Sequence, residues 1–441
     1  MKRFAFIISL LCLLVACTGG RQKEVAGKVA ALPAVEDVVM YQVNPRVFAP
    51  EQSFKAVEHR LDSIRSLGIN VVWFMPLNEV GREKSVNSPY CVKDYQAVNP
   101  EFGTLEEFKT LVDVCHQKGM NVIIDWVANH TSWDNAWIAN TSWYTQDEAG
   151  NIISPAGTGW NDVADLNFDN AEMRLAMIDA MKFWVTEIGI DGFRCDAADF
   201  VPFDFWKQAL DSLRAIPHHP LLMLAEGKRR DHFDAGFDMN YSWDFLEALR
   251  DVLVKDAPAT ELFATDKAEY DTIPVGKVKL RFTTNHDESA KMSPVKEFGN
   301  MRGSMAAFVL TTYLHGGALI YGSQEVGYPE AINFFRYVPV DWKANSDLYR
   351  EYQHLMRLYN EYPAIRKGGM KAFPNPDVLL FEKQDGEERV LVVVNVRNHE
   401  ANVALPQDWS GHTGKDLCDG SGLKLETELN LSPYQYRIFK F

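Results

Sequence analysis

From Val38 to about Tyr362 the chain alternates short apolar runs rich in β-branched residues with longer segments whose apolar positions recur at helical spacing. That alternation predicts repeated βα units. Strands are expected at Val38–Val43, Val71–Met75, Val122–Asp125, Gly192–Cys195, Leu221–Ala225, Phe237–Asn240, Lys279–Thr283 and Ala318–Tyr321. Helices are expected at Phe54–Leu67, Leu105–Lys118, Met173–Ile188, Phe205–Arg214 and Arg302–Thr312, with Leu348–Glu361 after the last strand. Eight strands with interleaved helices predict a TIM (β/α)8 barrel over residues 37–130 and 166–364. Residues 131–165 are too long for a connection; they carry Trp133, Trp137, Trp143, Tyr144 and Trp160 and predict a small subdomain inserted after strand three, over the barrel mouth. Beyond Pro363 the period changes to short alternating runs without helices, which predicts a C-terminal all-β sandwich over residues 365–441.

The N-terminus has a different pattern. Met1-Lys2-Arg3 precedes an apolar run to Ala16 that is too short to span a bilayer, so residues 1–16 are expected to be a signal peptide. Leu14-Val15-Ala16-Cys17 resembles a bacterial lipobox, which implies lipidation at Cys17 and a tether over residues 17–36. An ordinary signal peptide with a chance Cys is the alternative. The expected location is the cell envelope, with a lipid anchor as the membrane contact and the outer membrane favoured because Thr18 follows Cys17.

Composition narrows the chemistry. Hydrophobic residues make up 46% and aromatics 12%, which supports a large core and excludes disorder. A net charge of −15 leaves no sequence-wide basic field, so no nucleic-acid partner is expected. Cys91, Cys115, Cys195 and Cys418 form no CxxC pair and are expected to be buried thiols. No phosphate-cradling glycine motif occurs, so no organic cofactor is expected.

In a TIM barrel the residues just past the strand ends face one pocket. Asp125, Asn129 and His130 follow strand three, Arg194 and Asp196 close strand four, Glu226 closes strand five, and His286 and Asp287 follow strand seven. Three carboxylates, Asp196, Glu226 and Asp287, therefore converge on one mouth. Two carboxyls about 5 to 5.5 Å apart are what a retaining glycosidase needs, one to attack the anomeric carbon and one to protonate the leaving oxygen. Arg194, on the same side of its strand as Asp196, is expected to keep Asp196 ionised, while the apolar run before Glu226 is expected to keep Glu226 protonated.

From about Asp37 to Phe441 the chain resembles the α-amylase family, glycoside hydrolase family 13. The stretches that carry the resemblance are Asp125 to His130, Gly192 to Asp196, Ala225-Glu226-Gly227 and Asn285-His286-Asp287, with support from Tyr41 to Phe48, Ala164 to Asn167 and Leu319 to Gly322. The resemblance implies Asp196 as nucleophile, Glu226 as acid/base and Asp287 as the acid that holds sugar hydroxyls. It implies substrate contacts from Asp125, His130, Arg194 and His286, and places Tyr90 under the reacting sugar. It also implies a structural calcium near Asn129 and Asp165, with loop capping by these two residues as the alternative. Cys91 stands where chain-end trimmers often carry Asp, which points away from an exo-acting α-glucosidase. Ala197-Ala198-Asp199-Phe200 stands where many α-amylases carry Lys-His on the leaving-group side.

The leading expectation is an exported retaining α-glycosidase that hydrolyses α-glucosidic bonds, α-1,4 above all, of starch or maltooligosaccharides. A transglycosylase or glucosyl isomerase using the same site is one alternative. A surface lipoprotein that binds glucan without turnover is the other.

Overall fold

The computed structural model describes residues 31–441. The expected signal peptide, Cys17 and most of the tether lie outside the described residues.

Eight parallel strands close into a barrel in chain order: Val39–Val43, Val71–Phe74, Asn121–Trp126, Gly192–Cys195, Leu222–Ala225, Met239–Tyr241, Val278–Arg281 and Gly317–Tyr321. The last pairs with the first, Val39 opposite Ala318. Every residue in them is buried. Strands covered on both faces have no solvent side to mark with polar residues, which is why these runs read as continuous and not alternating.

Several helices bury a single apolar stripe. Phe203–Arg214 turns Phe205, Trp206, Ala209, Leu210 and Leu213 inward. Leu105–Gln117 starts from a capping box, with Thr104 accepting from the Glu107 N–H and Glu107 accepting from the Thr104 N–H. The helix expected over 54–67 is two short ones, Ser53–Glu58 and Leu61–Ser66. Phe54, Val57, Leu61 and Ile64 keep one helical stripe across the break, so the pattern hides it. Two helices between strands six and seven were not read: Trp243–Val254, whose stripe is apolar, and Thr260–Tyr270, which buries Asp266 and Glu269 against Arg281 and so lacks one.

Two small ribbons rise over the mouth. One, Asn78–Val80 with Val92–Val98, follows strand two and was not anticipated. The other, His130–Ser132 with Val163–Asp165, frames the expected insert after strand three. Tyr95 of the first ribbon packs on Trp126 and Trp137, which joins insert to barrel.

The C-terminal domain is a six-stranded antiparallel sheet with a two-stranded ribbon, Ala401–Ala404 with Glu428–Leu431. Val378, Leu380, Leu391 and Val393 face the ribbon and Trp409. Leu379, Phe381, Val390, Val392 and Val394 face the barrel and join its core. The expected sandwich is thus a sheet caught between a ribbon and the barrel.

Candidate active site

Strand register builds the site. Asp125 stands opposite Arg194, and Cys195 opposite Ala225, in parallel pairs. One residue further, Asp196 and Glu226 leave adjoining strands side by side, and such strands lie about 4.8 Å apart. The ladder continues past the strand ends: the Asp196 N–H donates to Trp126 O and the Glu226 N–H to Cys195 O, both at 2.9 Å. Ala197 then takes a left-handed backbone, φ 43°, which aims its N–H at Glu226 Oε2, 2.7 Å away. Such strain in a non-glycine residue collects at functional turns.

Arg194 lies fully buried beneath these groups. Its Nη1 donates to Asp125 Oδ1 at 2.7 Å and to Asp196 Oδ1 at 2.9 Å, and its Nη2 lies 2.9 Å from Glu226 Oε1. The Nε donates to the Tyr241 hydroxyl at 3.1 Å. One cation thus serves three carboxyls.

Arg194 acts on Asp196 as expected, in favour of the ionised form, but burial acts against it. Burial pushes its carboxyl well above the usual range, and the charges of Glu226 and Asp125 add to this; Arg194 opposes them without prevailing. Burial likewise lifts Asp125 to about 7 and raises Asp287. Glu226 accepts from the Ala197 N–H and forms an ion pair with Arg194, so its surroundings are polar and not the apolar ones expected of it.

His286 connects the pair to the pocket wall. Gln42 Nε2 donates to its Nδ1 at 2.7 Å, its Nε2 lies 2.6 Å from the Tyr90 hydroxyl, and that hydroxyl donates to Asp125 Oδ2 at 3.1 Å. Burial lowers His286 to about 3 and His130 to about 4, so both imidazoles are neutral near pH 7. Tyr90 lies over His286 with ring centroids 5.5 Å apart.

These groups open into a cavity of about 400 Å³ that Tyr90, His130, Asp196, Glu226, His286 and Asp287 all line. Asp125 and Arg194 form its floor support and do not line it. Its remaining wall includes Trp160 of the insert and Phe334 and Phe335 from the loop after strand eight. Trp137 and Trp143 pack on each other, 5.3 Å between centroids, and belong to the insert's core. Sequence reasoning missed Phe334 and Phe335, which sit in no motif, and Gln42 and Tyr241, which strand position alone could have picked out.

Asn129 and Asp165 do not line the cavity. Asn129 turns its amide toward His130 Nδ1 at 3.3 Å, and Asp165 pairs with His130 through the ribbon backbone. No group of three or more His, Cys, Asp or Glu able to hold a metal occurs among the described residues. All four cysteines of the described part are free thiols, and Cys91 lies behind the cavity wall against Asp162 O.

The family model described as alpha amylase, catalytic domain, matches residues 52–151 and 157–250, and that described as maltogenic amylase, C-terminal domain, matches residues 372–438. A cyclomaltodextrinase of Geobacillus thermopakistaniensis is 25% identical over 92% of this chain and 77% of its own length. Alpha-amylase 3 of Dictyoglomus thermophilum is 26% identical over 92% of this chain and 94% of its own. The crystal structure of a noncanonic maltogenic alpha-amylase from Thermotoga neapolitana superposes with a TM-score of 0.83 at 25% identity, covering 93% of this chain and 99% of that one. The chain thus matches an α-amylase catalytic-domain model followed by a maltogenic-amylase C-terminal-domain model, and it is a glycoside hydrolase.

Proposed function

We propose that the chain is an exported retaining α-glycosidase acting on α-1,4-linked glucans through a covalent glycosyl-aspartate. The observation that carries this is the placement of Asp196 and Glu226 side by side on adjoining strand ends, both on Arg194 and both facing one cavity. The relatives named as a cyclomaltodextrinase and an alpha-amylase support the substrate class.

With a glucan bound, Glu226 gives its proton to the glycosidic oxygen as Asp196 attacks the anomeric carbon, so the old C–O bond breaks while an ester bond to Asp196 forms. Arg194 supports the ionised Asp196. Glu226, now a carboxylate, takes a proton from water, whose oxygen displaces Asp196 and restores the starting state. Asp287 and neutral His130 and His286 border the same space and hold sugar hydroxyls, and the Tyr90 face covers apolar C–H surface.

Transfer to a second sugar is the alternative with an observation of its own. Trp160 is 37% and Phe200 60% exposed at the cavity mouth, rings 5.8 Å apart, open to an acceptor. Purified protein incubated with maltotriose to maltoheptaose, starch and cyclodextrins should release shorter α-anomeric products, and Asp196→Asn should stop this without unfolding the chain. No product from any of these substrates would refute the proposal, whereas products longer than the substrate would favour transfer.

The proposal includes export on a lipid at Cys17, which the charged start, the apolar run and the Leu14 to Cys17 motif support.

A further inference from the structure

Asp196 is followed by a turn and Glu226 by a loop, and the two segments lie against each other. Those two segments are laced together. The Ala198 N–H donates to Glu226 O at 2.9 Å, and the Ala197 N–H to Glu226 Oε2 at 2.7 Å. Past Gly227 the lacing passes to a single side chain: Asp199 Oδ2 accepts from the Lys228 N–H at 3.2 Å and Oδ1 from the Arg229 N–H at 3.3 Å. The Asp199 backbone carbonyl also accepts from Arg229 Nη1 at 3.0 Å.

Two successive backbone N–H groups turned to one anion form a nest, and a carboxylate is the side chain that satisfies both. The lysine and arginine side chains are matched elsewhere, Lys228 by Asp244 and Arg229 by Asp231. Gly227, φ 154°, lets the chain pass against the carboxylate, since a Cβ there would come within 2.4 Å of Asp199 Oδ1. Buried His232 closes the other side, its Nε2 3.3 Å from the same oxygen and neither ring nitrogen hydrogen-bonded. Asp199 itself does not line the cavity.

We infer that Asp199 is a positioning residue for the acid/base: its carboxylate clamps the loop after Glu226 to the turn after Asp196, holding the Glu226 carboxyl at the glycosidic oxygen. The inference rests on the roles proposed above for Asp196 and Glu226. Asp199 stands in the segment where the resemblance places Lys-His in many α-amylases, and in this chain its side chain serves as a brace.

A leaving group that needs no proton separates positioning from general damage. Asp199→Ala and the near-isosteric Asp199→Asn are compared with the unaltered chain on maltotriose, and on α-maltosyl fluoride with azide as acceptor. Fluoride departs without an acid and azide attacks without a base, so Glu226 is bypassed in both steps. A misplaced acid predicts kcat on maltotriose lower by about 10- to 100-fold for Asp199→Ala, with KM and the fluoride–azide rate held within about 3-fold. Asp199→Asn, which keeps one acceptor, should fall between, and it carries the test alone where the alanine variant unfolds before the assay temperature. Equal losses on both substrates, or no loss on maltotriose, would overturn the inference. An unaltered chain inert on both substrates would instead remove the reading of the site, and the inference with it.

Discussion

Arg194 donates to Asp125 at 2.7 Å and to Asp196 at 2.9 Å, and reaches Glu226 at 2.9 Å, from a position without solvent access. A lysine has one compact ammonium where three carboxyls need a planar fork, so Arg194→Lys is not a mild change. For Arg194→Met, which keeps bulk and loses charge, kcat should fall at least about 100-fold. Removing one partner from a buried ionic set costs about 3 to 5 kcal/mol, which urea unfolding at pH 8 should show. Asp125 gives the sign of the pH dependence: its carboxyl is raised from 3.8 to about 7, so the native state keeps a proton that the unfolded chain releases in that window, and stability falls as pH rises through it. Without Arg194 this slope steepens, so the deficit of Arg194→Met should shrink between pH 8 and pH 5. A deficit that stays constant with pH would assign Arg194 a packing role only. At this scale the identities were legible because each follows a strand end, but the burial that pushes the Asp196 carboxyl up was not, since it comes from groups distant in the chain.

The strands were legible because their runs are apolar throughout, and the expected ends fall within a few residues of the observed ones, as with Gly192–Cys195 and Leu222–Ala225. The register between elements carries the chemistry. Gly192 opens strand four at φ 151° against strand five, and a Cβ there would lie 1.9 Å from Leu222 O. Because backbone cannot move aside as a flexible side chain can, Gly192→Ala should destabilise by more than about 4 kcal/mol or prevent folding, as read by chemical denaturation. Gly189→Ala, also at positive φ but with open space around its Cβ, is the control for backbone strain alone. Thr260–Tyr270 escaped notice for the converse reason: its inward face is ionic, Asp266 and Glu269 on Arg281, and no apolar period marks it.

At the scale of the whole molecule the two ends of the barrel have separate tasks. The carboxyls gather where strands four, five and seven finish, whereas the chain enters strand one at Val39, at the opposite end. The lipid proposed at Cys17 is tested at this same scale. Replacing Cys17 with Ser should move the protein from the membrane to the soluble fraction, with kcat and KM on soluble maltooligosaccharides unchanged. Retention in the membrane fraction would count against the lipid. The C-terminal sheet belongs to the same body, because its barrel-facing residues share the barrel's core.

By itself, the sequence determined the eightfold alternation, the residues that close each strand and the placement of three acids on one mouth, because strand period and strand ends are local properties of the chain. Only the tertiary structure decided how deeply the acids are buried around Arg194, that Phe334 and Phe335 complete the pocket, and that Asp199 braces the Glu226 loop. Each of those depends on groups brought together from distant segments, and on the water that their packing excludes, which no local pattern records.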